Sequence, residues 1–454
     1  MNEFHPSEGY GRISECWYLW YCYYFGGIFS LSFAPFGIFC IALTFCFFCL
    51  PSRRIHRKTK MSRTNENHQE LTQCIVAGES PYYWENLAEP PISLGVTYCY
   101  DDPDDLEAVS LNKRKGHVYS RNTNPVTRIV ENKLAQLEHG EECIAFATGM
   151  AAISNSLHTF LEPGDRVVSI KHTYGGTSQL FLNFFPKYKV ECVLCETENY
   201  EELEQEALKG CKILYIESPT NPTLRVVDIE RMAKVAKKVG AYLFVDNTFA
   251  TPINQNPITL GADVVLHSAT KYLNGHGDAL AGFAVGRKDL IDQIYHYREI
   301  TGATLSAFNA YMVLRGIKTL SLRVKQHNIN AMELARYLKK HPKVKEVFYP
   351  GLEDHNHHDV AKKQSKAGFG GMLSFTLDGG VDEVKAFLRK LTVARVAASL
   401  GHVDSLIGPP ALTSHVECTK EERASLGISE GLVRYSTGIE DPADLIADID
   451  NALK

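Results

Sequence analysis

Several features are scarce in this chain of 454 residues, and each scarcity excludes a class of protein. Basic residues are not in excess: 48 Lys and Arg face 53 Asp and Glu, and the net charge of −5 argues against a dedicated nucleic-acid binder. The 12 cysteines form no disulfide framework, because five crowd into the first 60 residues and seven scatter over the rest. Cys192 and Cys195 make one CxxC, and no second pair completes a zinc site. They lie in the apolar run 189–195, which reads as a strand, so buried and reduced thiols are expected there. No internal repeat or low-complexity tract occurs. Charge itself is missing between Cys16 and Ser52.

That uncharged stretch is dense in aromatic and aliphatic residues, and Ile28 to Leu50 is long enough to cross a bilayer. Arg53, Arg54, Arg57, Lys58, Lys60 and Arg63 follow with no acid among them. The positive-inside rule keeps such a flank in the cytosol. Residues 17–50 are therefore one candidate membrane contact, with the catalytic part facing the cytosol. The second reading takes residues 1–60 as an extension to a cytoplasmic enzyme, because Met61 opens a polar stretch like an ordinary start.

Beyond the extension, residues 61–123 form a polar, turn-rich arm that is expected to pack on a neighbouring subunit or over a domain face. Short apolar or β-branched runs then alternate with helical ones: 142–146, 166–170, 190–194, 212–216 and 241–245 read as strands, and 132–139, ended by Gly140 as helices commonly are, and 228–239 as helices. This interleaving predicts an α/β domain with a mostly parallel sheet over 124–320. A helical run over 305–338 leads into a smaller α+β C-terminal domain, 321–454, with strands at 371–377 and 432–436. The histidines at 355, 357 and 358 fall in a polar loop after Pro350-Gly351 and are expected to be solvated; no metal site is predicted.

Three motifs carry chemistry. The run 243–248 is an apolar strand that delivers Asp246 at its C-terminal end, the edge at which open parallel sheets bind ligands. A carboxylate there suits a protonated pyridine nitrogen. The run 264–272 is a second apolar strand, ending in Ser268, Thr270 and Lys271. A lysine desolvated in such a cleft has a depressed pKa and can form an imine, while the two hydroxyls are donors of the kind that hold a phosphate. Thr148-Gly149-Met150-Ala151-Ala152 opens a helix with small residues, and exposed amides at a helix N-terminus favour phosphate. Together they describe one cofactor, pyridoxal 5'-phosphate (PLP).

These motifs sit in a longer ordered series: Tyr119-Ser120-Arg121, Asn124-Pro125, Tyr174-Gly175-Gly176-Thr177, 217–222, Ser399-Leu400-Gly401 and 433–438. With that series, residues from about 70 to 454 resemble the cystathionine γ-lyase/γ-synthase family of fold-type I PLP enzymes. The resemblance implies a PLP-dependent carbon–sulfur lyase of trans-sulfuration and methionine metabolism. It implies that Lys271 holds the cofactor as a Schiff base and shuttles protons, and that Asp246 pairs with the pyridine nitrogen. Tyr174 would stack on the ring, Asn221 contact its hydroxyl, and Gly149, Met150, Ser268 and Thr270 cradle the phosphate. Tyr119 and Arg121 would reach the phosphate of a neighbouring subunit in a homodimer, usually part of a homotetramer. Arg434, helped by Ser399, would hold the carboxylate of a sulfur amino acid.

The chain departs from the family at specificity positions. Vertebrate-type cystathionine γ-lyases usually carry glutamates where this chain has Val118 and Ala398, and their loss makes a pocket suited to methionine or homocysteine. Methionine γ-lyases usually have cysteine at Gly176. Cystathionine γ-elimination is therefore the first expectation, with methionine γ-lyase or cystathionine β-lyase activity as the alternative. An aminotransferase is opposed by the sulfur-family segments, and an inactive tethered scaffold by the retained Lys271 and Asp246.

Overall fold

A computed structural model describes residues 68–79, 87–416 and 418–454. The expected membrane contact at 17–50 lies outside them; among the described residues no helix is long and apolar enough to cross a membrane.

Seven strands form the larger sheet: β1 (Glu142–Phe146), β2 (Arg166–Ile170), β3 (Glu191–Cys195), β4 (Ile213–Glu217), β5 (Tyr242–Asp246), β6 (Val264–Ser268) and β7 (Gly282–Gly286). Their order is β1-β7-β6-β5-β4-β2-β3. All pairings are parallel except those of β7, which runs antiparallel to both β1 and β6. Strands buried on both faces read as continuous apolar runs, which is why these segments show so little alternation. Val245 and Val265 enter one core layer, Phe244 and Leu266 the other. Strand alternation then turns Asp246 and Ser268 toward the layer of Phe244, and His267 toward the opposite one.

The smaller sheet collects β8 (Val344–Phe348), β9 (Met372–Leu377), β10 (Arg395–Val396), β11 (Leu406–Gly408) and β12 (Leu432–Ser436) in the order β10-β11-β12-β9-β8. Only β10 and β11 pair parallel.

Three local readings need correction. The helix placed at 132–139 spans Pro125–Leu137: Asn124 caps it by accepting from Val126 N, and Pro125 takes the first turn, where no amide is needed. The left-handed residue after it is His139 (φ 60°) rather than Gly140. Gly140 is instead required by packing, since a Cβ there would fall 2.4 Å from Val285 Cγ1. The helical run over 305–338 is two helices, Ala307–Ile317 and Leu320–Leu338. A continuous helix would need the Gly316 carbonyl for residue 320. That carbonyl accepts instead from Arg323 Nη2 (2.7 Å) and, more weakly, from Thr319 N (3.2 Å), while Arg323 Nη1 donates to Tyr272 O (2.7 Å). The helix break thus anchors the turn that carries Lys271.

Cys192 and Cys195 lie in β3 as free thiols, and burial pushes both up to about 12. In the histidine loop, His358 Nδ1 bonds Pro350 O (2.9 Å) and Lys339 pairs with Asp354.

Candidate active site

The C-terminal ends of β5 and β6 bring Asp246 and Ser268 to one edge of the sheet. Thr248 ties the two ends together. Its amide donates to Asp246 Oδ1 and its hydroxyl accepts from Ser268 N, both at 2.9 Å. The helix Gly149–Phe160, capped by Thr148 Oγ1 on Ala151 N (3.0 Å), points its N-terminus at the same edge. A Cβ on Gly149 would come within 2.7 Å of Ser268 Cβ and 2.9 Å of its Oγ, so only glycine lets helix and strand end approach this closely. The cradle therefore fits a phosphate: a helix N-terminus with a serine hydroxyl against it. Thr270 is partly committed elsewhere, since its hydroxyl exchanges hydrogen bonds with Ala281 N (3.2 Å) and Ala281 O (3.3 Å).

The Lys271 amine lies mostly buried, and burial, reinforced by the positive charge of Arg434, pushes its pKa down to about 8. Lys271 Nζ donates to Ser399 Oγ at 3.2 Å. Arg434, on β12, is fully desolvated and pushed down to about 10 by burial. Its Nη1 donates to Asn221 Oδ1 and its Nη2 to Ser399 O, each at 3.1 Å. Both acceptors are neutral, and among the described residues no carboxylate pairs with this guanidinium. A buried cation without an anion is costly unless it is there to receive one. Ser399 assists Arg434 through its carbonyl, while its hydroxyl faces the lysine.

The structure brings ten of the twelve predicted residues to or around this edge through these contacts and those of Tyr174 and Met150, described next. Tyr119 and Arg121 are joined to each other, with the guanidinium 5.8 Å over the ring, and Arg121 donates to Glu299 O. Neither makes a hydrogen bond, ion pair or ring contact with the rest of the site.

Two groups were overlooked in sequence. Glu217 lies in register with Asp246 on β4 and accepts from Tyr174 N at 2.8 Å, which fixes the start of the Tyr174 segment. Burial and the nearby Asp246 push the Glu217 carboxyl well above its usual range. Burial also raises Asp246, and the hydroxyl and amide of Thr248 counter that rise. Next to Tyr174, a Cβ on Gly176 would sit 2.7 Å from Met150 Sδ, so the thioether fills the space a side chain there would need.

The second group lies behind the sheet. Glu138 Oε1 accepts from Asn247 Nδ2 (2.7 Å) and from His267 Nε2 (2.6 Å), and Oε2 from Asn256 Nδ2 (3.3 Å). All four residues are buried. One carboxylate oxygen thereby joins the residue after Asp246 to the residue before Ser268. Glu138→Gln is expected to cost about 3 kcal/mol, because its amide would face the Asn256 amide in a buried site. Denaturant melts should show that loss together with faster escape of cofactor on dialysis.

A mostly parallel sheet whose carboxyl edge carries a depressed lysine, a part-buried carboxylate and a glycine-opened helix defines a PLP enzyme acting on amino acids. The chain belongs to the Cys/Met metabolism PLP-dependent enzyme family, whose sequence profile matches residues 71–454. It is 42% identical over 386 residues to L-methionine gamma-lyase of Fusobacterium nucleatum subsp. polymorphum, covering 84% of this chain and 97% of that one. It is 44% identical over 340 residues to cystathionine gamma-lyase of Bacillus subtilis strain 168, covering 75% and 89%. The crystal structure of cystathionine gamma synthase from Xanthomonas oryzae pv. oryzae in complex with cystathionine superposes with a TM-score of 0.81 at 38% identity, over 85% of this chain and 98% of that one. The protein is a PLP-dependent carbon–sulfur lyase of sulfur amino-acid metabolism.

Proposed function

We propose that the chain catalyses γ-elimination of cystathionine to cysteine, 2-oxobutyrate and ammonia, with Lys271 as the cofactor lysine and proton carrier. The observation that carries the site reading is Arg434. This desolvated cation has only neutral partners, stands against the Ser399 that also holds Lys271, and so offers a seat for a substrate α-carboxylate. A carboxylate seated there fixes the Cα–H bond relative to the amine, and positioning of this kind decides which bond breaks.

PLP, when bound, supplies the electron sink for that chemistry. The chain's own residues do the rest. Asp246 would balance the pyridine N–H, Ser268 and the amides of Gly149 and Met150 would hold the phosphate, and Thr270 would add a weaker contact there. Tyr174, held from behind by Glu217, would cover the ring face, and Asn221 would contact the ring hydroxyl. Tyr119 and Arg121 are exposed and unattached to their own cleft, which suits a role at the site of a neighbouring subunit in a homodimer or homotetramer. The enzyme is proposed to work in the cytosol.

Methionine is the second reading. It is favoured by Val118 and Ala398, which offer no carboxylate to the distal ammonium of cystathionine. Gly176 opposes it: a cysteine there would have to displace Met150 Sδ and the Tyr174 ring, whose Cε1 lies 3.0 Å from the added Cβ. Steady-state kinetics on both substrates decide between them. Oxobutyrate with cysteine from cystathionine supports the first reading, and oxobutyrate with methanethiol from methionine the second. Pyruvate from cystathionine would mean β-elimination, and oxoacid from neither would sink the proposal.

A further inference from the structure

The hydroxyl that accepts from Lys271 has a second neighbour. Ser399 Oγ is 3.2 Å from Lys271 Nζ and 3.2 Å from His402 Nε2. A serine hydroxyl has one proton and two lone pairs, so accepting from the amine leaves its proton for the imidazole. His402 then presents an unprotonated Nε2 and carries its hydrogen on Nδ1. A continuous donor–acceptor path thus runs from the reacting amine to a half-buried imidazole.

Three contacts hold that path in place. Gly277 (φ 69°) lies flat against the ring, and a Cβ there would come 2.6 Å from His402 Cε1 and 2.8 Å from Nδ1. Gly401 (φ 73°) presses the turn onto the lysine segment, since its Cβ would strike Tyr272 N at 2.7 Å. Val403 N donates to Gly275 O at 2.9 Å. The charged groups facing the imidazole are Lys271 and His276 on one sign and Asp278 and Asp404 on the other. Burial first, and Lys271 second, hold its pKa below the ordinary histidine value, so at neutral pH it is a free acceptor.

We propose that His402 is a positioning residue for proton traffic: it relays the proton of Lys271 through Ser399 toward solvent and so returns the lysine to a free amine within each turnover. This rests on the reading of Lys271 given above. The substrate arrives as an ammonium ion and its nitrogen departs as a neutral enamine, which regains a proton from water on hydrolysis. Each turnover therefore leaves one substrate N–H proton with the lysine, and an amine buried to this degree has poor direct access to water. In the relay one Nζ–H proton passes to Ser399 Oγ as the Oγ–H proton passes to His402 Nε2. The positive charge moves from lysine to imidazole, which discharges it to solvent; no bond to carbon changes and no electrons are transferred.

The test uses the full-length, cofactor-loaded enzyme and its His402→Ala variant. The cofactor absorbance band, melting temperature and KM should be unchanged, and kcat should fall about tenfold to a hundredfold. The acid limb of the kcat profile should move up, from the imidazole toward the amine. Added imidazole should restore kcat in the variant. An unchanged kcat overturns the relay, and so does a fall in kcat with no shift of the limb and no rescue. Independently of turnover, NMR titration of His402 should move upward in Lys271→Ala, as the neighbouring cation is removed; an unmoved titration overturns the coupling. Failure of the lysine reading itself looks different, because Lys271→Ala would then keep the cofactor band.

Discussion

Lys271→Ala is expected to lose the absorbance band of the lysine-bound cofactor and to lower kcat/KM by at least about 10⁴-fold, since nucleophile and proton carrier vanish together. The protein should stay folded. The amine makes one hydrogen bond, to Ser399, and its charged form is disfavoured by burial, so the variant forfeits little stability. The depressed amine adds a pH signature in the wild type. When pyridoxal phosphate is returned to stripped protein, the reactive species is the neutral amine, which predominates above a pKa of about 8. The rate of band recovery should rise about tenfold per pH unit below 8 and level off above it. A solvated lysine would still be gaining rate well past pH 9. Recovery that climbs steadily to pH 10, or a band that survives in the alanine variant, would remove Lys271 from its role.

The parts of the site that were legible in the sequence are those encoded locally. An apolar run ending in a polar residue marks a parallel strand and its functional edge together, which is why Asp246, Ser268 and Lys271 could be named without coordinates. A glycine at a helix start could be read as a phosphate cradle for a similar reason. What stayed hidden depends on distant segments. Glu138 precedes Asn247 by 109 residues and His267 by 129, and nothing around it distinguishes it from a solvated helix-end glutamate. Glu217 stood inside a matched motif, but its value lies in the register that sets it beside Asp246. The break between the helices Ala307–Ile317 and Leu320–Leu338 was invisible to periodicity, because a distant carbonyl, Tyr272 O, is what recruits Arg323.

Arg434→Leu is the complementary experiment, because it should separate substrate capture from cofactor chemistry. Losing a buried, hydrogen-bonded charge pair with the substrate carboxylate costs about 3–4 kcal/mol, or a hundredfold to thousandfold in kcat/KM. Most of this should appear in KM, with a further loss in kcat where the Cα–H bond is no longer held in place. Stability pulls two ways. Leucine removes a desolvated cation, which favours the fold, but leaves Asn221 Oδ1 and Ser399 O without donors, which opposes it. The net shift in melting temperature should therefore be small compared with the kinetic loss. Arg434→Lys keeps the charge and loses the two-point fork, so it should fall between wild type and leucine. In both variants the cofactor band should persist, and the Lys271 amine should titrate higher in the leucine variant, because the cation that helps depress it is gone. An unaltered KM with a lost band would move Arg434 from the substrate to the cofactor. An unaltered KM with an intact band would leave the buried cation without a partner and the proposed substrate orientation without its anchor.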